Sequence, residues 1–396
     1  WLIFSPDTRC RVLRELYKIQ VDGGIMDLIR QSGTSETENY FGGNERLENF
    51  PLLQRAIRCG SPSELAVGDK QRIAGAFLAH DAVTSLAYLH LIFPGHRVMV
   101  EILLEWALQW PDAALKYVTG PEERKCTESA LSHWEDSVES RSSGAEDLRD
   151  IFHPDIAKPG TAQQFIKGKS DCSGFLYKPL LMLMVRQEEI EGLITKRQFD
   201  EAAVRLDDYW AHAWALHDSC VQYCHSYPAT VADIIGQAAS EKMIKASFSQ
   251  SSFFEGLWYL GTNLNPHQIA AFLAEHLRFH FSGIDGSGAI DIVEEEDRFR
   301  LIFDPCGSGG AMRRRLALTG KAGVLMGPSP ADWHIGGKVP FYCSHCAFNE
   351  LESIRRLGYP VMVTEFDSDP FKPCGWTVYK TPDRIPRYYF ERLGFR

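Results

Sequence analysis

Residues 289–310, with the sequence AIDIVEEEDRFRLIFDPCGSGG, mark the point where the character of the chain changes. Apolar side chains recur at every second position over 289–295 and again over 298–304, on either side of a short acidic turn. Alternation with a period of two is typical of a half-buried strand, so this stretch predicts a β-hairpin. The chain then passes into a cysteine and a run of glycines, which are residues of tight turns.

The sequence after this hairpin adds one helix and two more strands. Residues 347–357 carry a helical pattern that ends before Gly358, as helices commonly do. The runs 360–366 and 375–380 are rich in valine, threonine, tyrosine and tryptophan, which favour strands. We therefore predict a four-stranded antiparallel sheet with one helix over 284–396.

Upstream of the hairpin the hydrophobic period is that of a helix. Apolar residues recur at spacings of three and four, the pattern of amphipathic helices. The predicted helices are 70–92, 97–110, 161–195, 198–225, 228–248 and 266–281, interrupted by a polar segment at 119–160. The predicted fold class is α+β, with an irregular segment at 1–64 that holds a short helix and a loop, a mostly α-helical domain at 65–283, and a small antiparallel-sheet domain with a four-cysteine metal site at 284–396.

Composition bounds the class of protein and its partners. The chain has 396 residues, of which 44% are hydrophobic, enough for a large core and unlike a disordered or coiled-coil protein. Its net charge of −10 disfavours binding to a nucleic-acid backbone. The longest apolar runs fall well short of a membrane span, and the apolar start at 1–4 is too short for a signal peptide. We expect a cytoplasmic protein without nucleic-acid or membrane partners.

Ten cysteines are sparse for this length, which favours free thiols in a reducing compartment. Four of them gather in the last third of the chain: Cys306, Cys343, Cys346 and Cys374. A Cys-x-x-Cys pair turns two sulfurs toward one ion, and single cysteines on other strands complete a tetrahedron. Each of the four lies at the edge of a predicted element. Cys346 also lies at the start of a predicted helix, whose N-terminal amides favour the thiolate form.

This pattern predicts one zinc ion in a closed Cys₄ site. Four thiolates also suit an iron–sulfur cluster or an open catalytic zinc, and spacing does not separate these metals. Four unconnected buried cysteines are the simplest alternative. His345, inside the Cys-x-x-Cys pair, and His334 are candidate substitutes for one sulfur.

The glycines at 307–310, with Ser308 among them, precede three arginines at 313–315. Successive glycine amides form a concave site for anions, and arginine binds carboxylate or phosphate. Ser308 and Arg313 are therefore candidate substrate-binding residues for a small anionic molecule. The alternative is a turn at the metal site followed by a solvated basic run.

Several histidines fall on the apolar faces of predicted helices. His217 lies in the apolar stripe of 198–225, and both His276 and His280 lie in that of 266–281. His80 shares the apolar face of 70–92. Inward imidazoles that converge on one cavity can transfer protons or bind a second metal. We therefore predict that His276, His280 and His217 are catalytic, against the alternative of ordinary core histidines.

These features favour a metal-containing enzyme, a hydrolase or lyase acting on a small acidic molecule in a cleft between the helical and cysteine-rich domains. Hydrolysis and elimination suit acid–base histidines, and no nucleotide-binding fingerprint occurs in the sequence. An iron- or iron–sulfur-dependent oxidoreductase is the first alternative. A non-enzymatic binding or scaffold protein with a structural zinc module is the second.

Overall fold

The computed structural model describes residues 68–114, 121, 125, 173–248, 261–262, 264–320, 325, 327 and 338–396. The irregular segment predicted at 1–64 lies outside these residues. So do residues 161–172 of the third predicted helix and all but two residues of the polar segment 119–160.

The first half of the described chain is helical, as its apolar periodicity predicts. Its helices are α1 (Asp69–Leu78), α2 (Ala82–Ala114), α3 (Ser173–Thr195), α4 (Phe199–Ile235), α5 (Gln237–Phe248) and α6 (Pro266–Arg278). Helices α2 and α4 pack against each other, and α1, α3 and α5 pack against both. Within the described residues, no helix is long and apolar enough to cross a membrane.

Two of the predicted helix breaks do not occur, and each of them lies at a proline. The predicted break after residue 92 does not occur, because α2 runs on through Pro94, and α4 likewise includes Pro228 and ends before Gly236. A proline removes one backbone donor, but packing on both sides of it can hold the helix together. The real break lies at His80, which has a φ of 54°. His80 is exposed there, so its predicted place on an inward face is also wrong.

The second half contains the predicted sheet. Its strands are β1 (Asp291–Glu294), β2 (Arg298–Phe303), β3 (Val363–Glu365) and β4 (Cys374–Tyr379), and they lie in the order β1–β2–β4–β3 with every neighbouring pair antiparallel. The predicted hairpin and the four-stranded antiparallel sheet are thus confirmed. Strand β2 ends opposite the start of β4, where Phe303 pairs with Cys374.

Two longer helices accompany the sheet, and one of them escaped the sequence analysis. Helix α7 (Gly309–Thr319) begins within the glycine run that we interpreted as a loop, because glycine is a poor helix former. Helix α8 (Ser344–Leu357) begins earlier than predicted, after a 3₁₀ turn at Phe341–Cys343, and ends at Gly358 as expected. A 3₁₀ turn at 382–384 and the short helix α9 (Tyr388–Glu391) follow the sheet.

The helical and sheet regions pack directly on each other. Helix α6 lies against β2 and β4, and the 3₁₀ turn lies against α4. The backbone amide of Phe341 donates a hydrogen bond to Nδ1 of His225 on α4, at 3.1 Å. Gly307 passes so close to the end of α6 that a Cβ there would lie 1.6 Å from the carbonyl oxygen of His280. Only glycine permits this crossing.

A buried ion pair attaches the C-terminal residues to the sheet. Glu350 on α8 is fully buried, accepts a hydrogen bond from the amide of Thr364 at 2.6 Å and pairs with Arg392. We predict that Arg392→Ala lowers the free energy of unfolding by about 3 kcal/mol, because it leaves a buried carboxylate without its partner. Chemical denaturation measures this. Arg387→Ala, which removes an exposed pair with Glu391, is the control and should change stability little; equal effects would contradict the prediction.

Candidate metal and histidine site

The four cysteines of the sequence pattern meet where three segments of the chain adjoin. Cys306 follows the end of β2 and Cys374 begins β4, so the antiparallel pairing of these strands sets the two residues side by side. Cys343 ends the 3₁₀ turn and Cys346 lies in the first turn of α8. The described cysteines, which also include Cys220 and Cys224 of α4, are free thiols, as predicted for them.

The start of α7 is fitted against this cluster. The amide of Gly310 donates a hydrogen bond to Sγ of Cys306 at 3.2 Å. A Cβ at Gly309 would lie 2.2 Å from Sγ of Cys343, so a larger residue there would displace the sulfur. The glycine run is therefore needed for packing beside the thiols, and not only for a flexible loop.

The electrostatics of the thiols show that they share one environment. Burial is the main cause that raises the pKa of Cys343 and Cys346 well above the ordinary value, and of Cys374 to about 12. The charges of the other cysteines raise these pKa values further, and every pair among the four interacts in this way. Arg313 acts in the opposite direction on Cys343 and Cys374.

The thiols are neighbours, but they are not arranged in a coordination shell. Across 68–114, 173–248, 264–320 and 338–396, no three histidine, cysteine or acidic side chains form a group that is set to hold a metal ion. As a donor set, four cysteines match structural zinc or an iron–sulfur cluster. His334, the other candidate ligand, lies outside the described residues.

The arginines that follow the glycine run are engaged within the protein. Arg313 is buried, donates to the carbonyl of Asp367 at 2.6 Å, lies 3.8 Å from Sγ of Cys374 and stacks on Phe366. Arg314 binds Asp304 and the carbonyls of 370 and 371. The segment is therefore not a solvated basic run, and Arg313 faces a thiol and a carbonyl instead of an open anion site.

The three predicted catalytic histidines lie together, next to the cysteine cluster. Nε2 of His217, on α4, lies 2.9 Å from Nδ1 of His280, just after α6. The ring of His276 lies 5.2 Å from that of His280, centroid to centroid. His276, His280 and His345 line one small cavity, together with Trp106 and Trp376. Its volume is about 10 Å³, the space of a single buried water and far below that of an organic ligand.

Ser308 and His345 join the histidines to the cysteines. Oγ of Ser308 lies 3.3 Å from Nδ1 of His280 and 3.9 Å from Sγ of Cys306. Nε2 of His345 lies 3.6 Å from Sγ of Cys346. The hydroxyl of Ser308, a predicted substrate contact, thus faces protein groups on both sides. The two clusters form one continuous buried polar region.

Burial keeps these imidazoles neutral. It lowers the pKa of His217 to about 3 and that of His276 and His345 to about 4, and it lowers the pKa of His280 well below the ordinary value. Neighbouring histidines lower the pKa of His217, His276 and His280 further, whereas the backbone of Tyr342 opposes the shift at His345. At neutral pH the cluster therefore offers unprotonated nitrogens, which are proton acceptors and metal ligands.

The sequence analysis missed two members of this region. His96 on α2 stacks on Phe281, with centroids 4.4 Å apart, and its Nδ1 lies 3.2 Å from Oη of Tyr209. His96 falls between the predicted helices 70–92 and 97–110, so the sequence pattern does not place it on a buried face. Asp218 lies 3.3 Å from Nδ1 of His217 and is itself buried. Asp218 could have been found from the sequence, because it directly follows His217, which the helical pattern places on an inward face.

A surface groove reaches the cysteine cluster from the sheet side. It has a volume of about 210 Å³ and is open to solvent. Its lining includes Cys374, Arg300, Glu365 and Asp367. One thiol of the cluster is thus approachable from outside, while the histidine cavity is enclosed.

Comparison with known protein families, with curated proteins and with solved structures finds no match to this chain. Any function therefore has to be argued from the geometry of the site itself.

The buried histidines predict a dependence of stability on pH. The folded pKa of His96 is about 3, below the ordinary 6.5, because burial outweighs the opposing charge of Asp69. A depressed folded pKa gives stability that is present above pH 6.5 and is lost as the pH falls toward 3, because the unfolded chain then binds the proton. We predict that His96→Phe removes about 2 kcal/mol of the wild-type loss between pH 7 and pH 5.

Urea denaturation across this pH range measures the effect. His90→Phe is the matched control, because His90 lies on the same helix with a 59% exposed side chain. His90→Phe should keep the wild-type pH dependence. If His96→Phe also keeps it, the account of His96 as a buried neutral imidazole is wrong.

Proposed function

We propose that Cys306, Cys343, Cys346 and Cys374 bind one metal ion, zinc in the first place, and that this ion fastens the C-terminal sheet domain. One observation carries the proposal: segments far apart in sequence bring four free thiols into one cluster. Four thiolates in a tetrahedron are the donor set of structural zinc sites. On binding, the cysteine side chains would rotate into the coordination shell and lose their thiol protons.

The surroundings of the cluster suit a negatively charged metal centre. Zinc with four thiolates carries a net charge of about −2. Arg313 lies beside Cys374, and the N-terminal end of α8, with its partial positive charge, lies at Cys346. These groups offset the charge that burial would otherwise penalise. An iron–sulfur cluster takes the same donors and is the alternative metal centre, which would favour an oxidoreductase.

The metal site predicts a specific loss in cysteine variants. Cys343→Ala and Cys346→Ala should each abolish stoichiometric metal and lower the melting temperature strongly, because the binding energy of the ion is folding energy. Elemental analysis, an absorption spectrum and thermal unfolding measure these effects. Zinc gives a colourless protein, and an iron–sulfur cluster gives a brown one.

Cys220→Ala is the matched control, because Cys220 is a buried free thiol of α4 that the proposal does not use as a ligand. It should keep the full metal content. Wild-type protein without stoichiometric metal, or cysteine variants that retain it, would contradict the metal site.

The continuity of the two clusters favours a second, enzymatic function. We propose that the chain is a metal-containing hydrolase or lyase that acts on a small anionic molecule, with His276 and His280 transferring protons. Support comes from Ser308 and His345, which connect the neutral imidazoles to the thiol cluster. The enclosed cavity has room for one water, a reactant in hydrolysis. The open groove at Cys374, which Arg300 lines, offers space for part of an organic substrate.

Turnover tests this second function. We expect the metal-loaded protein to hydrolyse or eliminate at least one member of a panel of small carboxylate esters, amides, phosphomonoesters and hydroxy acids. His280→Gln should lower that rate at least about 100-fold with metal content unchanged, because acid–base catalysis contributes that much. His212→Gln, at a part-exposed position of α4, is the control. No turnover by the metal-loaded wild type would leave the structural zinc module as the function.

A further inference from the structure

Two hydrogen-bond contacts and one ion pair lead from the histidine cavity to Arg315 on α7. Nδ1 of His280 lies 2.9 Å from Nε2 of His217, and Nδ1 of His217 lies 3.3 Å from Oδ1 of Asp218. These three side chains are at most 6% exposed. Oδ2 of Asp218 lies 3.6 Å from Nη1 of Arg315, whose side chain is 34% exposed and also contacts Gln222. The chain therefore has an inner end at the cavity and an outer end near solvent.

The carboxylate fixes where every proton of this chain lies. Ionised Asp218 only accepts hydrogen bonds, so Nδ1 of His217 must carry the proton that faces it. The neutral ring of His217 then has a lone pair at Nε2, which must accept from Nδ1–H of His280. The neutral ring of His280 is left with a lone pair at Nε2. The same direction is imposed on His345, whose Nδ1 lies 2.6 Å from the carbonyl oxygen of Tyr342.

The residues around Asp218, His217 and His280 are compatible with this order of donors and acceptors. Ser308 is able to accept from Nδ1–H of His280 while its own hydroxyl faces Cys306. Among the described residues, the titratable groups that act on the two histidines of the chain include His96, which faces His217, and His276 and His345, which face His280. His96 and His345 are buried, His276 is half-buried, and desolvation lowers the pKa of all three, so they are neutral at neutral pH. The positive charge of Arg315, 3.6 Å from Oδ2 of Asp218, favours the ionised carboxylate.

We propose that Asp218, His217 and His280 form a proton relay, in which Nε2 of His280 takes a proton from the cavity and Asp218 receives one at the other end. A water in the cavity gives its proton to Nε2 of His280. The Nδ1 proton of His280 passes to Nε2 of His217, and the Nδ1 proton of His217 passes to Asp218. A hydroxide is left in the cavity and the carboxylate becomes a carboxylic acid, so atoms and charge balance.

This assignment divides the roles of the predicted catalytic histidines. His280 lines the cavity that would hold the reacting water, whereas His217 touches His280 and Asp218 and is not among the residues that line it. His217 and Asp218 are therefore positioning residues. The use of the relay in a reaction rests on the proposed enzymatic function, but the hydrogen-bond chain itself depends neither on turnover nor on the metal.

Long-range ¹H–¹⁵N spectra of protein labelled in its histidines test the relay directly. In the metal-loaded wild type at neutral pH, His217 and His280 should both be neutral and protonated at Nδ1. In Asp218→Asn, Arg315 attracts the amide oxygen and the amide NH₂ faces His217. Both histidines should then reverse to the Nε2–H form, which a role of Asp218 in packing alone would not require.

Asp208→Asn is the matched control, since Asp208 is an exposed residue of the same helix that pairs with Arg205. It should leave both tautomers as in the wild type. If His280 is protonated at Nε2 in the wild type, the relay is wrong, whether or not Asp218→Asn folds. If both histidines keep their tautomers in a folded Asp218→Asn variant, the relay is also wrong.

Metal content and turnover, measured on the same samples, separate this test from that of the proposed function. Wild-type tautomers as stated, with reversal in Asp218→Asn, support the relay even in a protein that shows no turnover. Turnover that survives in a protein with the opposite tautomers would overturn the relay while the proposed function stands.

Discussion

The turn between β2 and α7 is the constraint on which the rest of the structure depends. Gly307 lies against the carbonyl of His280 and Gly309 against the sulfur of Cys343, at separations that leave no room for a Cβ. Between them, the hydroxyl of Ser308 lies near both His280 and Cys306. This turn thereby fixes the end of α6, the start of α7 and the 3₁₀ turn before α8 relative to one another. A buried histidine cluster and a thiol cluster adjoin because these segments meet here.

The same arrangement keeps thiols and imidazoles, which are chemically reactive groups, uncharged in the protein interior. The thiols are partly buried and most of the imidazoles are buried, and their reduced contact with water favours the neutral form of each. The metal ion that we propose would offset the loss for the thiols, since it replaces their protons. A buried carboxylate, Asp218, does so for the histidines by fixing the direction of their hydrogen bonds. In both cases one charged partner organises several neutral groups.

Much of this fold was predictable where a period or a turn signal was clear. The alternation around 289–304 predicts the hairpin, and Gly358 marks the end of α8, because these signals act locally. The predicted helix breaks near Pro94 and Pro228 do not occur, since long-range packing carries both helices through these residues. Helix α7 was hidden by its glycines, which are needed for contacts with residues distant in sequence. Likewise, periodicity placed His217, His276 and His280 on inward faces, but the contact of His217 on α4 with His280, just after α6, is a tertiary property.

Cobalt substitution tests the central claim most directly, because Co²⁺ in a tetrahedron of thiolates has intense sulfur-to-metal absorption. Titration of metal-free protein with Co²⁺ should give this spectrum, saturate at one ion per chain, and be reversed by zinc. Weak absorption typical of oxygen or nitrogen ligands, or no saturation at one equivalent, would contradict the claim that the four cysteines hold one ion.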